Sequence, residues 1–180
     1  MTFYEKPLSS DIKYDGRILR VRYDTVELQN GDRTFREVVD HTGGVGVIAI
    51  TPEGRVPMVR QFRYPFMAET LEIPAGKLEK GEEPLACAVR ELSEETGYTA
   101  GRMISLGTLL PSPGYCAETL YIYLALDVTP GRAHLDQGEF LNVEYYPLQE
   151  LHRMVMSGQL TDAKTVLAVL KAEFYLQEAK

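Results

Sequence analysis

The alternation of apolar and polar residues predicts strands in the N-terminal half of the chain. Strand-forming residues fill positions 18–28 and 34–40 on either side of Asn30 and Gly31, a dipeptide that favours a tight hairpin turn. The same alternation predicts a second pair of strands, 45–50 and 56–61, joined by a turn at 52–54. Further short strands are predicted at 70–73, 103–109, 119–126 and 143–146.

A helical period replaces the alternation at residues 84–96. Four apolar residues recur there at i, i+3, i+4 and i+7, which predicts a buried stripe along one helix face. They are Leu85, Ala88, Val89 and Leu92. Pro84 suits the first helical turn, and Gly97 suits the left-handed residue that ends a helix. Two more helices are predicted near the C-terminus, at 148–156 and 161–176.

The order of these elements indicates an α/β fold in which helices cover both faces of a sheet. Gly43 and Gly44 interrupt the pattern after the first hairpin. We therefore predict an N-terminal β segment at 1–42 and an α/β domain at 43–180.

The chain is acidic, and its composition is that of a globular protein. Its 180 residues carry a formal net charge of −7, and 44% of them are hydrophobic, enough to fill a substantial core. This charge argues against binding to the outside of a nucleic-acid duplex, because phosphate contacts need a basic surface. Small anionic substrates remain possible if a metal ion neutralises them.

The cysteines and the apolar runs predict a soluble cytoplasmic protein. Cys87 and Cys116 form no C-x-x-C pair, and two cysteines in a chain of this size favour reduced thiols that serve in packing. The N-terminal stretch MTFYEKPLSSDIKYDG has no apolar signal core. The longest apolar run, 45–50, is too short to span a bilayer.

Acidic residues crowd the helix predicted at 84–96. Glu91, Glu94 and Glu95 fall within about 100° of one another on a helix of 3.6 residues per turn, so they share one face. Like charges at this spacing destabilise a helix by about 0.2–0.5 kcal/mol per pair. Arg90 is predicted to lie toward another side and offers a single charge, whereas Mg²⁺ prefers such oxygen ligands. A solvated acidic face is the alternative, and no calcium-loop pattern is present.

The spacing of residues around these glutamates resembles the Nudix box, the signature of the Nudix hydrolases. The matching positions are Gly76, Glu82, Arg90, Glu91, Glu94, Glu95 and Gly97. Tyr98 departs from the pattern, because the family usually has an aliphatic residue there. It is apolar enough to pack in the same place.

Other stretches resemble the ADP-ribose pyrophosphatase branch of that family. They are EIPAGKLEKGEEP at 72–84, RQFRYP at 60–65, SPGYCAE at 112–118, GEF at 138–140 and DAKT at 162–165. Pro113 also follows Gly97 by sixteen residues, a spacing typical of this branch. The resemblance implies a Nudix-type α/β/α sandwich with a mixed sheet and an N-terminal β-hairpin segment. It also implies a homodimer paired through residues 1–42.

The reaction that the resemblance implies is hydrolysis of the diphosphate of ADP-ribose to AMP and ribose 5-phosphate. Its cofactor is Mg²⁺, with Mn²⁺ as a possible substitute. The implied ligands are Glu91 and Glu95, then Glu94, with the backbone carbonyl of Ala75. Arg90 is interpreted as an internal counter-charge for the glutamates, and the alternative for it is a surface ion pair.

Residues elsewhere in the chain match substrate-binding and catalytic positions of the resembling enzymes. Glu139 in GEF matches the catalytic base, with Asp136 as the second candidate and a solvated loop acid as the alternative. Arg63 matches a diphosphate contact, although an exposed strand arginine is an equal interpretation. The remaining candidates for substrate contacts are Arg36, Pro113, Gly114 and Glu118.

Other functions stay open from the sequence. Another Nudix substrate is possible, such as GDP-mannose, NADH or a dinucleoside polyphosphate. A module that binds nucleotide sugars without cleaving them is a second possibility. The intact set Arg90, Glu91, Glu94 and Glu95 argues against that module, because a pure binder has little use for three adjacent carboxylates.

Overall fold

The structure is a computed structural model that describes residues 3–135 and 138–178. The chain forms two compact units. The first comprises Met1–Gly43 and Leu110–Thr119, and the second comprises Gly44–Leu109 and Leu120–Lys180. Residues 110–119 thus join the N-terminal unit, whereas the sequence pattern predicts them within the domain of residues 43–180.

The first unit contains a three-stranded antiparallel sheet. Strands β1 (Lys6–Asp15), β2 (Leu19–Glu27) and β3 (Arg33–His41) lie in that order. The predicted hairpin is confirmed as β2 and β3, and Gly31 in its turn has φ +86°, a conformation that favours glycine. Strand β1 was not predicted, because all ten of its residues are exposed and no apolar alternation marks it.

The segment 110–119 is attached to β3 by backbone hydrogen bonds. The amide of Val39 donates to the carbonyl of Tyr115 at 2.8 Å, and the amide of Ala117 donates to the carbonyl of Val39 at 2.9 Å. This pairing holds the segment that contains Pro113 and Gly114 against the N-terminal sheet.

The second unit is built around a four-stranded mixed sheet. Strands β4 (Gly44–Ala49), β7 (Ala75–Lys77), β8 (Thr99–Leu109) and β9 (Leu120–Thr129) lie in the order β7-β4-β9-β8. Strand β4 pairs parallel with β9 and antiparallel with β7. All six residues of β4 are buried, which explains its nearly continuous apolar sequence, GVGVIA.

A second sheet in this unit contains β5 (Arg55–Arg63), β6 (Ala68–Glu72) and β10 (Leu141–Pro147) in the order β10-β5-β6. The prediction that residues 45–50 and 56–61 pair with each other is therefore wrong. Strand β4 takes β7 and β9 as neighbours, and the turn at 52–54 carries the chain into the other sheet.

Helices cover both faces of the mixed sheet, as the predicted sandwich requires. Helix α1 (Pro84–Thr96) packs Ala88 and Leu92 on the valines of β4. Helices α2 (Leu148–Met156) and α3 (Ala163–Glu178) pack in the core that contains Ile48 from the opposite face. No helix within residues 3–135 and 138–178 is long and apolar enough to cross a membrane.

The buried face of α1 differs from the predicted stripe. Leu85 is 49% exposed and Val89 is 38% exposed, so only two of the four predicted residues are in the core. The buried residues are Cys87, Ala88, Leu92, Glu95 and Thr96. The helix is rotated so that part of its acidic sector turns inward, which a stripe of apolar residues alone could not indicate.

Candidate active site

Helix α1 has the bounds that the sequence predicted, and its ends explain why. Pro84 occupies the first turn, where a missing N–H costs nothing. Gly97 ends the helix with φ +76°, and its amide donates to the carbonyl of Ser93 at 2.9 Å. Both signals are local to the sequence, so they place the glutamates of the helix correctly.

Glu95 is the most buried acid of the helix. It is only 5% exposed, and its Oε2 accepts the backbone N–H of Ala75 at 2.9 Å. Burial raises the pKa of Glu95 to about 8, against the effect of the Ala75 hydrogen bond, and the negative charges of Glu91 and Glu139 raise it further. A carboxylate in these surroundings favours a nearby cation.

Glu91 lies against the backbone of Gly76 on strand β7. A Cβ atom at Gly76 would stand 1.8 Å from Oε1 of Glu91 and 1.9 Å from its Cδ. Burial also raises the pKa of Glu91, although Arg90 opposes this shift. The glycine of the box therefore leaves the space that the Glu91 carboxylate occupies.

Replacing Gly76 with alanine is expected to reduce activity while the fold is kept. The added methyl must displace the Glu91 carboxylate, which is the end of a flexible side chain and can move at little cost to folding. Misplacement of a reacting group by about 1 Å can lower the rate by about 10²-fold. Steady-state kinetics and a thermal unfolding curve of Gly76→Ala measure the two effects. Native kinetics would show that Glu91 does not need this position.

Arg90 binds three glutamates and corrects the prediction that it lies toward another side of the helix. Its guanidinium donates to both oxygens of Glu82 at 2.9 and 3.0 Å, to Glu91 at 2.7 Å and to Glu94 at 2.9 Å. The hydrogen bond from Arg90 lowers the pKa of Glu82 to about 2. The long side chain reaches residues on either side of its own position, including the i+4 neighbour.

The donor set of α1 fits a hard divalent cation. Glu91, Glu94 and Glu95 on the helix and Glu82 just before it supply four carboxylates, and Arg90 is hydrogen-bonded to all of these except Glu95, so negative charge is in excess. Within the described residues, no three acidic, histidine or cysteine side chains form a ready metal-binding group. Glu91 and Glu94 instead each accept a hydrogen bond from Arg90.

The loop between β9 and β10 brings Glu139 into electrostatic range of the helix. Its negative charge contributes to the raised pKa of Glu95 and of Glu91, in each case after the larger effect of burial. Gly138 before it has φ +94°, which bends the loop. Asp136, the second candidate for the base, lies outside the described residues.

Arg63 lies at the end of β5 with a side chain that is 39% exposed and ion-paired. Its Nε and Nη2 donate to the two oxygens of Glu72 at 2.7 and 2.6 Å. Glu72 is 2% exposed, and the ammonium group of Lys164 also binds it. No spacing or motif in the sequence indicates a role for Glu72 or Lys164, although both lie in stretches that carry the family resemblance.

The remaining candidates for substrate contacts lie in the first unit. Arg36 on β3 donates from Nε to Glu5 at 3.0 Å. Glu118 lies 3.5 Å from Nδ1 of His41, measured from its Oε1. Pro113 and Gly114 lie in the loop that pairs with β3, and the space around Gly114 is open to at least 4 Å.

Relatives of this chain match it over nearly its whole length. The ADP-ribose pyrophosphatase of Bacillus subtilis is 42% identical over 167 residues, which are 92% of this chain and 90% of that protein. The methanol dehydrogenase activator of Bacillus methanolicus is 42% identical over 179 residues, 98% of this chain and 96% of that protein.

One solved structure and two family models also match this chain. A crystal structure of an ADP compounds hydrolase has the same fold, with a TM-score of 0.87 and 22% identity, over 99% of this chain and 98% of that one. A model of the nucleoside diphosphate sugar hydrolase N-terminal domain matches residues 5–39. The NUDIX domain model matches residues 40–168, and these include helix α1 with Arg90 and the loop residue Glu139. The chain therefore belongs to the Nudix family.

Proposed function

We propose that the protein hydrolyses the diphosphate of ADP-ribose to AMP and ribose 5-phosphate. The observation that carries the proposal is the site on α1, where buried Glu95 and partly buried Glu91 adjoin Ala75 and Gly76 in the segment that resembles ADP-ribose pyrophosphatases. The relative from Bacillus subtilis, which bears that enzyme's name, supports the same substrate.

Mg²⁺ is the proposed cofactor, and Mn²⁺ is an alternative of similar ligand preference. Glu91, Glu95 and Glu94 would hold it, with the backbone carbonyl of Ala75. A bound divalent cation of this kind neutralises phosphate oxygens and lowers the pKa of a water molecule. The excess of carboxylates on α1 is the structural feature that suits such an ion.

The chain's own residues supply orientation, charge balance and a base. Arg90 holds Glu82, Glu91 and Glu94 in one arrangement through its hydrogen bonds. We assign the contact with the diphosphate to Arg63, whose guanidinium matches the geometry of phosphate oxygens. Glu139 is the proposed general base, because it lies near the acids without being one of the proposed ligands.

Product analysis with a panel of substrates tests this function. The purified protein is incubated with Mg²⁺ and with ADP-ribose, GDP-mannose, NADH or diadenosine polyphosphates, and the products are identified by chromatography. We expect a clear preference for ADP-ribose, with AMP and ribose 5-phosphate as products. A preference for another compound would identify that compound as the substrate in place of ADP-ribose. Turnover of none would favour a module that binds nucleotide sugars without cleaving them.

A second function, activation of a methanol dehydrogenase, is favoured by one observation. The activator from Bacillus methanolicus aligns with 98% of this chain at 42% identity. The test adds the purified protein to the methanol dehydrogenase of that organism and measures the rate of alcohol oxidation. Stimulation by the native protein and not by Glu139→Gln would show that activation depends on hydrolysis. An unchanged rate with the native protein would remove this function.

We also propose that the protein is a homodimer that pairs through the N-terminal segment, residues 1–42, which supplies substrate contacts as well. Strand β1 is an edge strand, bonded to β2 on one side only, and it exposes Leu8, Ile12 and Tyr14. A long exposed edge with apolar side chains is a template for pairing with another chain.

A cytoplasmic location is proposed from the two free thiols, Cys87 and Cys116.

Light scattering at micromolar concentration is expected to give the mass of a dimer. Ile12→Lys places a charge on the exposed apolar side of β1 and is expected to shift the protein toward monomer. Asp11→Lys introduces the same residue at the neighbouring polar position and serves as the matched control. A fully active native monomer would refute the proposed dimer.

A further inference from the structure

A buried cluster of charged side chains joins the β5–β6 strand pair to the start of helix α3. Glu72 lies at its centre and is only 2% exposed. Its carboxylate accepts the two guanidinium hydrogen bonds of Arg63, at 2.7 and 2.6 Å, and one from the hydroxyl of Thr70 at 2.5 Å. Lys164 donates a further hydrogen bond to Oε2. The carboxylate is therefore held from several directions.

The first turn of α3 anchors this cluster. The carboxylate of Asp162 accepts hydrogen bonds from the backbone N–H of Thr165 at 3.0 Å and from the Thr165 hydroxyl at 2.6 Å. It also accepts one from the ammonium group of Lys164 at 3.0 Å. The Thr165 hydroxyl in turn accepts the backbone N–H of Ile73 at 2.9 Å. Because Thr165 is completely buried, these bonds fix the end of β6 where Glu72 lies.

The cluster also extends to the acids of the active site. Ile73 lies two residues before Ala75 in the chain, and the N–H of Ala75 donates a hydrogen bond to Glu95. The charges of Arg63 and Glu95 act on each other. The side chain of Arg63 is 39% exposed and that of Glu72 is 3% exposed, so Glu72 holds the guanidinium from the protein side and leaves part of it open.

We propose that Glu72 is a positioning residue that fixes the guanidinium of Arg63 beside the glutamates of α1 for contact with the diphosphate. This role rests on the proposed function, because it takes Arg63 as the residue that meets the substrate. A bidentate pair between a guanidinium and a carboxylate defines both distance and orientation. Lys164 and Asp162 complete a cluster with two cations and two anions, so the cluster has no net charge.

Stability alone is a poor explanation for this cluster. Removing charged groups from water costs free energy that their mutual attraction often only offsets, and apolar side chains of similar volume are often as stabilising. The cluster instead sets the position of the partly exposed guanidinium of Arg63, and Glu72, which holds it, lies three residues before the Ala75 that binds Glu95. That arrangement suits a role in orienting substrate.

A double-mutant cycle tests the role. Glu72→Gln is expected to lower kcat/KM for ADP-ribose by about 10- to 100-fold, because Arg63 loses its fixed position. In an Arg63→Ala background, Glu72→Gln should change kcat/KM by no more than about threefold, since the two residues act through one contact. Glu72→Gln and Arg63→Ala should also divide their losses between kcat and KM in the same way.

Glu144→Gln is the matched control. It removes the carboxylate on β10 that binds both Nε and Nη2 of Arg60, which lies on the same strand β5 as Arg63. Its kcat/KM should stay within about threefold of the native value, because neither Glu144 nor Arg60 is assigned a contact with substrate or metal. If Glu72→Gln keeps native kinetics, or if its loss multiplies with that of Arg63→Ala, the positioning role is refuted.

Circular dichroism and thermal unfolding show whether Glu72→Gln folds. If it does not, Thr70→Val replaces it in the cycle, because it removes one hydrogen bond to Glu72 and keeps the side-chain shape. The same criterion of non-additivity with Arg63→Ala then decides whether the positioning role holds.

If the native protein prefers another substrate, the proposed function fails and the cycle is measured with that substrate. If it hydrolyses none, the cycle is read from dissociation constants of ADP-ribose, and additive effects or absent binding overturn the role of Glu72.

Discussion

Replacing Glu139 with glutamine is expected to lower kcat for ADP-ribose by about 10²–10⁴-fold, the usual contribution of a general base. Glutamine keeps the shape of the side chain and removes its ability to accept a proton from water. KM should change little, because the lost interaction belongs mainly to the transition state. Steady-state kinetics at saturating Mg²⁺ give both constants, and Mg²⁺ titration separates a loss of base from a loss of metal.

The control for this variant is Asp136→Asn, a second acid of the same sequence segment. It should retain native kcat if Glu139 is the base. A fall with Asp136→Asn and none with Glu139→Gln would transfer the role to Asp136. If neither variant is slower, one of the glutamates on α1 must take the proton.

The pKa values of Glu91 and Glu95 are raised, which favours proton uptake, but their proposed role as metal ligands would keep them from serving as the base. Burial is the main cause for both residues, and the charge of Glu139 adds to it. Acids that hold a cation cannot freely accept a proton in the same step. Glu139 sits on a loop outside the helix, next to Gly138, whose φ of +94° bends the chain there.

Elements with local signals were predictable from the sequence, whereas their partners were not. The bounds of α1 and α2 are confirmed because proline, glycine and helical periodicity act within a few residues. The pairing of residues 45–50 with 56–61 was wrong because strand pairing depends on distant segments, and β4 pairs with β9 more than seventy residues away. Strand β1 has no buried face that could mark it.

The candidate site shows the same division. The shared face of Glu91 and Glu95 follows from 3.6 residues per turn, and the structure brings both against β7. The predicted direction of the Arg90 side chain was wrong, because the angle of a Cα atom around the helix says little about where a long side chain ends. Glu72 and Lys164 are 92 residues apart, so no spacing rule connects them.

Replacing Glu95 with glutamine is expected to raise the Mg²⁺ concentration needed for half-maximal activity and to lower the rate. The change removes one charge from the proposed ligand set and keeps the side-chain shape, including an oxygen that can accept the N–H of Ala75. Loss of an outer-shell partner typically lowers metal affinity or activity by about 10–100-fold, and loss of a ligand charge should cost at least as much. Activity as a function of Mg²⁺ concentration measures the shift.

The same variant should be at least as stable as the native protein when metal is removed by a chelator. Glu95 is 5% exposed and burial disfavours its charged form, so a neutral glutamine costs less to bury. Thermal unfolding with and without Mg²⁺ measures this, and the native protein should gain more from the ion than the variant does. Glu83→Gln, at an exposed acid just before α1, is the matched control and should change neither property. Unchanged activity of Glu95→Gln at limiting Mg²⁺ would remove Glu95 from the ligand set, because a buried ligand cannot lose its charge without weakening the site.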